Sequence, residues 1–414
     1  PPRSTPLYSS AASDVYKRQI FIMSISVKTF LKQVGKDYQS QSVNPPVVRA
    51  STVIFKTIQD IKKTQSKYKK NPLSKNFDYG RKGTSTTFVL QDLLRKIENA
   101  YQVYLTPTGF GAVFLGVISI VRPGDEIIIT DSVYSPTRFL TEEYLKKFNI
   151  SAIFYDPKNL NDLKRKITNK TKLIFVENPG SNTFEFQDLN KILSFAKKRN
   201  IFTAIDNTWG TPYLIKPLDL GFDMSIVSAT KYYSGHSDVM GGSLAINKKL
   251  FKKVELSQKA IGSRLGPDDA YLIIRGLRTL DIRLDKHQQN ALKIAKFFNK
   301  QRKVKEVFYP FKKNTNQYKM WKKYYSGASG LMGIKVLSKN KNSVIKFLNK
   351  LKLFSYGYSW GGFESLALYQ DKLALGNRSY TKLNNNEHII RLHIGLEDPN
   401  DLIADIKQAI KSIR

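Results

Sequence analysis

The run Lys172-Leu173-Ile174-Phe175-Val176, the helical segment Asp188–Lys198 after it, and then Phe202-Thr203-Ala204-Ile205 decide the fold. Both short runs are apolar almost throughout, as strands covered on two faces must be. A helix between two such strands is a crossover connection, so the strands run parallel. Upstream the rhythm continues with strand Glu126–Thr130, helix Pro136–Asn149, strand Ser151–Tyr155 and helix Leu160–Thr168. Ser135 reads as the cap of the first of these helices, with Pro136 in its first turn. Downstream, Met224–Ser228 reads as another strand. Val89, Leu93, Leu94 and Ile97 mark a helix with one buried stripe, and Gly109–Val121 is a buried helix stopped by Pro123-Gly124. The expected class is α/β: a mostly parallel sheet with helices on both faces.

After about residue 278 the texture changes. Ala291–Asn299, Asn342–Leu351 and Pro399–Ser412 read as helices and Leu331–Val336 as a strand, a smaller C-terminal α+β domain. The expected organisation has a non-native leader at 1–22, where no period is visible, and an arm at 23–83. A large domain at 84–277 and the small domain at 278–414 follow. The arm reads as irregular, with a lysine-rich loop near Lys62–Lys75, and has little core of its own.

Composition narrows the function. Hydrophobic residues at 41% and charged residues at 24% of 414 exclude collagen-like and wholly disordered chains. The absence of cysteine excludes disulfides, thiolate metal sites and cysteine nucleophiles, and fits a reducing, cytoplasmic setting. The longest apolar run, Ala112–Val121, is shorter than the ~18–20 residues of a spanning helix. Lys+Arg 68 against Asp+Glu 33 leaves +35, but the excess is scattered and lysine-heavy. It reads as solvated faces, so neither nucleic acid nor membrane is the expected partner.

In a parallel α/β sheet, ligands bind beyond the carboxyl ends of the strands. Three segments there are chemically loaded: Ala204-Ile205-Asp206-Asn207-Thr208-Trp209, Ser228-Ala229-Thr230-Lys231-Tyr232 and Thr106-Pro107-Thr108-Gly109-Phe110-Gly111. Singly, Asp206 reads as a helix cap, Lys231 as a solvated lysine and Gly109 as a turn residue. Together they suit one cofactor. Pyridoxal 5′-phosphate (PLP) needs a lysine for its aldehyde, a carboxylate for its ring nitrogen, and free N–H groups at a helix start for its phosphate. The four histidines, His236, His287, His388 and His393, lack metal-ligand spacing, so no metal is expected. A dinucleotide fingerprint fails because Gly109 and Gly111 are followed by Phe114 where the third glycine belongs.

At these residues the chain resembles the Cys/Met-metabolism PLP enzymes of aspartate-aminotransferase-like fold, fold type I. The resemblance runs from about Asp37 to Arg414. It is carried by Tyr79-Gly80-Arg81-Lys82-Gly83-Thr84, Tyr134-Ser135-Pro136, Asp206-Asn207-Thr208-Trp209, Ser228-Ala229-Thr230-Lys231-Tyr232, Tyr358-Ser359-Trp360-Gly361-Gly362 and Arg391-Leu392-His393-Ile394-Gly395-Leu396-Glu397. It implies that Lys231 holds PLP covalently, Asp206 pairs with its ring nitrogen and Tyr134 stacks on the ring. Gly109, Phe110, Ser228 and Thr230 would hold the phosphate, joined by Tyr79 and Arg81 of a neighbouring subunit. Arg391 would grip the substrate carboxylate, with Tyr358, Ser359 and Trp360 lining the substrate side. Lys231 and Tyr134 would be the catalytic pair, in a homotetramer built as a dimer of active-site-sharing dimers. Within the family the β-acting cystathionine lyases are most similar, which implies β-elimination of L-cystathionine to L-homocysteine, pyruvate and ammonia, in methionine biosynthesis. Relatives that act at Cγ (γ-synthases, γ-lyases, sulfhydrylases) commonly carry a glutamate where this chain has Tyr358. They are the alternative.

Overall fold

The computed structural model describes residues 25–37, 41–71, 73–75, 77–371, 375 and 378–413. The leader expected at 1–22 lies outside the described residues. Seven strands form the main sheet: β1 Gln102–Thr106, β2 Glu126–Thr130, β3 Ser151–Tyr155, β4 Thr171–Glu177, β5 Phe202–Asp206, β6 Met224–Ser228 and β7 Gly242–Ile246. Their order is β1-β7-β6-β5-β4-β2-β3, and β7 alone runs opposite to the other six. The parallel pairs β2/β3, β2/β4, β4/β5 and β5/β6 follow from the crossovers seen in the sequence.

Alternation along each strand divides the core in two. Ile128, Ile174, Val176, Ile205 and Val227 face one layer, whereas Ile127, Ile129, Leu173, Phe175, Ala204 and Ile226 face the other. The second layer packs on the helix Gly109–Ile118, whose Ala112, Val113, Leu115, Gly116 and Val117 are buried. This is why the sheet's strands show little polar alternation: both faces are dry.

The second sheet is antiparallel, in the order β10-β11-β9-β8, from β8 Val304–Phe308, β9 Leu331–Leu337, β10 Leu366–Gln370 and β11 Glu387–His393. The helix Leu280–Asn299 packs on it through Ala291, Ile294, Ala295 and Phe298. Trp209, which follows β5, ties the sheets together: its indole N–H donates to the Leu331 carbonyl at 3.0 Å. Its ring meets Phe186 and Tyr325 edge-on.

The arm departs from expectation. It holds two helices, Val27–Gln33 and Ile58–Lys70. The second covers most of the segment expected as a lysine-rich loop. None of its residues is fully buried, only Ile61, Thr64 and Tyr68 being half-buried, so its apolar face is faint among the lysines, and it forms under the Thr57 cap, which accepts from Asp60 N. The helix expected at Pro136–Asn149 also differs in detail. It runs as an α-turn Ser135–Phe139, a wide turn Leu140–Tyr144 and a tight turn Leu145–Phe148, and Tyr134, not Ser135, stands at its cap position.

Candidate active site

Asp206 and Ser228 end adjacent parallel strands, and Glu177 ends β4 in register with Asp206. Lys231 sits one turn beyond Ser228, its N–H bound to the Ser228 carbonyl at 3.1 Å. Asp206, Ser228, Lys231, Glu177 and Gly109 are half-buried, whereas the strand residues just before the first two are buried. These side chains therefore line an open cleft whose floor is the end of the sheet.

The charges in the cleft are shaped by this placement. Burial, then the nearby Arg391 guanidinium, lowers the Lys231 amine from 10.5 to about 8, against a smaller opposing pull from Asp206. Among the described residues the amine has no ion-pair partner; it donates to Ser359 Oγ at 2.6 Å and lies 5.4 Å from the centre of the Trp360 ring. Desolvation raises the Asp206 carboxyl above its ordinary value, although Thr208 N donates to Oδ1 at 2.9 Å. Burial and the neighbouring Glu177 and Asp206 raise the Tyr134 phenol, so it stays protonated at neutral pH. Arg391, on β11 between β10 and β9, reaches in from the small sheet. It donates to the Ser359 carbonyl at 3.0 Å, and burial lowers its pKa to about 10.

The loop that carries Ser359 is shaped for this approach. Ser359 takes φ +79°, a left-handed conformation that costs a non-glycine residue energy. Gly361 must be glycine: a Cβ there would stand 3.0 Å from Lys231 Cα and C. Tyr358, by contrast, is 89% exposed, at the rim.

The opposite end of the cleft suits a phosphate. Thr108 caps the helix Gly109–Ile118, with Oγ1 accepting from Gly111 N at 2.9 Å and its carbonyl accepting from Ala112 N. The N–H groups of Gly109 and Phe110 have no acceptor among the described residues, and they stand at the positive end of the helix. Ser228 lies tightly against them, since a Cβ on Gly109 would meet Ser228 Oγ at 2.5 Å. Thr230 is more engaged: its hydroxyl accepts from Gly241 N at 3.1 Å and donates to Gly241 O at 3.3 Å.

PLP fits these groups. Among the described residues the chain presents a lysine amine of lowered pKa, a desolvated carboxylate with no cation in contact, and two unused N–H groups at a helix start. Tyr79 and Arg81 are not part of this cluster. They stand together on the arm, with the guanidinium 5.8 Å over the Tyr79 ring, and Arg81 has no carboxylate partner among the described residues. Three residues to which the sequence reading gave no role belong to the site. Glu177 accepts from Tyr134 N at 2.6 Å, its own carboxyl pushed well up by burial and Asp206. Thr208 links the two strand ends, donating its N–H to Asp206 and accepting from Ser228 N at 2.9 Å. Gly361 is the third. A carboxylate ending a strand beside the one that ends in Asp206 was the available signal for Glu177.

Comparison with known proteins agrees with this chemistry. Residues 28–411 match the profile of the Cys/Met metabolism PLP-dependent enzymes. The cystathionine beta-lyase of Haemophilus influenzae is 36% identical over 382 residues, 91% of this chain and 96% of that protein. The L-alanine/L-glutamate racemase of Wolbachia pipientis wMel is 36% identical over 380 residues, 90% and 93% of the two chains. The solved cystathionine gamma synthase of Xanthomonas oryzae pv. oryzae, in complex with aminoacrylate and cysteine, superposes with a TM-score of 0.85 at 28% identity, covering 94% of this chain and 98% of that one. The fold is that of the type I PLP enzymes, and no helix among the described residues is long and apolar enough to cross a membrane. The chain belongs to the Cys/Met metabolism PLP-dependent enzymes, a family that uses pyridoxal 5′-phosphate on amino-acid substrates.

Proposed function

We propose that the enzyme cleaves the Cβ–S bond of L-cystathionine, releasing L-homocysteine, pyruvate and ammonia. The observation that carries this reading is the aromatic pair Tyr358 and Trp360 flanking Ser359, with Trp360 against the Lys231 amine and no carboxylate at position 358. Elimination at Cγ needs a second proton removed, at Cβ, and an aromatic side chain is a poor base for that work. Similarity to the Haemophilus influenzae β-lyase supports the same choice.

The residues divide the work as follows. Lys231 holds PLP covalently, and Asp206, as an anion, pairs with its ring nitrogen. Gly109 and Phe110 N–H groups and the Ser228 and Thr230 hydroxyls hold the phosphate. Tyr79 and Arg81 supply further phosphate contacts to a neighbouring subunit, so the smallest complete unit is a dimer, paired again into a tetramer. Arg391 clamps the substrate α-carboxylate through its planar fork, which a lysine cannot copy. PLP supplies the electron sink that lets the Cα proton leave without its electrons. The freed Lys231 amine takes that proton, and its pKa of about 8 keeps a useful fraction neutral near pH 7.5. Ser359 Oγ, already bound to that amine, aims it. Tyr134, a phenol at neutral pH, and the protonated Lys231 are the two acids able to protonate the departing thiolate. The elimination product then hydrolyses in water to pyruvate and ammonia.

The test is product identity with L-cystathionine as substrate. Homocysteine with pyruvate supports the reading. Cysteine with 2-oxobutyrate assigns the enzyme to the γ-acting branch, and D-alanine formed from L-alanine with cystathionine left intact assigns it beside the racemase.

A further inference from the structure

Arg264 lies in the loop between the helices Phe251–Ile261 and Pro267–Leu277. Its Nη1 donates to the Gly80 carbonyl at 2.6 Å and reaches the Ala50 carbonyl at 3.5 Å. Those carbonyls belong to two passes of the arm that cross at close range. Gly80 N donates to Ser51 O at 2.8 Å, Thr52 pairs with Tyr79 as an antiparallel bridge, and a Cβ on Gly80 would fall 1.9 Å from Ala50 O. Gly80 O also closes the single turn Gly80–Lys82 by accepting from Gly83 N at 3.0 Å. The residues on either side of this pinned glycine are Tyr79 and Arg81. Arg81 also passes beside Gly262, whose built Cβ would lie 3.5 Å from Arg81 Cδ, and Arg81, Gly262 and Arg264 share the wall of a cavity of about 420 Å³. A second tie comes from the next helix, where Asp268 accepts from Arg49 Nε at 3.0 Å.

We infer that Arg264 is a positioning residue for the cofactor site of the neighbouring subunit: it fixes the crossing of the arm so that Tyr79 and Arg81 are presented outward at a set angle. This rests on the reading that Tyr79 and Arg81 serve the neighbour's phosphate. A guanidinium reaches two carbonyls about thirty residues apart in sequence, whereas a lysine offers one compact charge and holds one of them firmly. With the side chain cut back, the Tyr79–Arg81 turn loses its charged tether while Lys231, Asp206 and Gly109 are untouched. The expected defect is weaker retention of PLP, with the pH dependence at Lys231 unchanged.

The test uses the full-length enzyme carrying Arg264→Gln, co-expressed with differently tagged Lys231→Ala subunits and purified as the mixed oligomer. Retention is read as visible absorbance after dialysis against a series of PLP concentrations. Homo-oligomers of Arg264→Gln should need about tenfold more PLP, the loss expected for a charged hydrogen bond. In the mixed oligomer the intact Lys231 is served by a partner with intact Arg264, and retention should return to the wild-type level. A homo-oligomer that retains PLP like the wild type overturns the inference. So does a mixed oligomer that stays weak while the matching mixture of Arg81→Gln with Lys231→Ala is restored; the cross-subunit reading then stands without Arg264. If neither mixture is restored, the cross-subunit reading fails and the inference falls with it. Arg264→Lys, which keeps the charge and one carbonyl contact, carries the same design should the glutamine variant not assemble, with an intermediate defect expected and melting temperature measured alongside.

Discussion

A lysine amine at about 8 in place of 10.5 changes how fast the chain captures its cofactor, because only the neutral amine attacks an aldehyde. At pH 7.5 about a quarter of such amines are neutral, against roughly one in a thousand for an ordinary lysine, an advantage of about 200-fold. Stopped-flow mixing of PLP-free protein with PLP, followed by the visible absorbance of the lysine-bound cofactor from pH 6 to 10, reads this directly. An N-acetyl-lysine reaction run in parallel removes the cofactor's own ionisations. The ratio of the two rates should hold level at about 300-fold up to about pH 7 and fall away above pH 8, where the protein amine is already neutral while the free one is still gaining. Arg391→Gln sharpens the test. Burial is the larger cause of the lowered pKa and Arg391 the second, so the variant should move the plateau only part of the way back toward 10.5. A protein rate that keeps rising tenfold per unit through pH 10, parallel to the free amine, refutes the reasoning.

Two further outcomes follow from the packing. Glu98 accepts from Tyr233 OH at 3.1 Å beneath the Lys231 turn, and burial raises its carboxyl from 4.5 to about 7. The folded state therefore binds that proton more tightly than the unfolded state, and its contribution, full below pH 4.5, is lost as pH rises through 7. Glu98→Gln, melted beside the wild type at pH 5 and pH 8.5, should gain about 3 kcal/mol over the wild type between the two; two variants that track each other would count against a buried acid there. Gly109→Ala drives a methyl into Ser228 and should weaken PLP retention by about 1–3 kcal/mol with the fold kept, partly restored by adding Ser228→Gly. Undiminished colour after dialysis would show that the phosphate does not bind against this face.

The main sheet was legible because its parallel strands are short apolar runs separated by helices, as at Lys172–Val176 and Phe202–Ile205. β7 was not: Gly242-Ser243-Leu244-Ala245-Ile246 is rich in small residues, and its place between β1 and β6 is decided by pairing with distant partners. In the small sheet, β10 and β11 carry Gln370, Glu387, His388 and Arg391 among their apolar residues, which blurs their period. The helix Ile58–Lys70 escaped notice because it buries no residue fully and its half-buried face is crowded by lysines. For the site, Asp206, Lys231 and Gly109 stand out because each closes or opens an apolar element at the ligand-binding end of the sheet. Glu177 gains meaning only beside Asp206, through strand register. Arg264 is further out of reach, since its partner Gly80 lies 184 residues away in the chain.

The most direct test of the whole account is chemical. Treating the purified, coloured enzyme with borohydride fixes PLP to the amine that holds it, and peptide mass analysis then names that residue. The account predicts a single phosphopyridoxyl group on the peptide containing Lys231, and none when Lys231→Ala is treated in the same way. The label on another lysine, or a wild-type protein that takes up none, contradicts it.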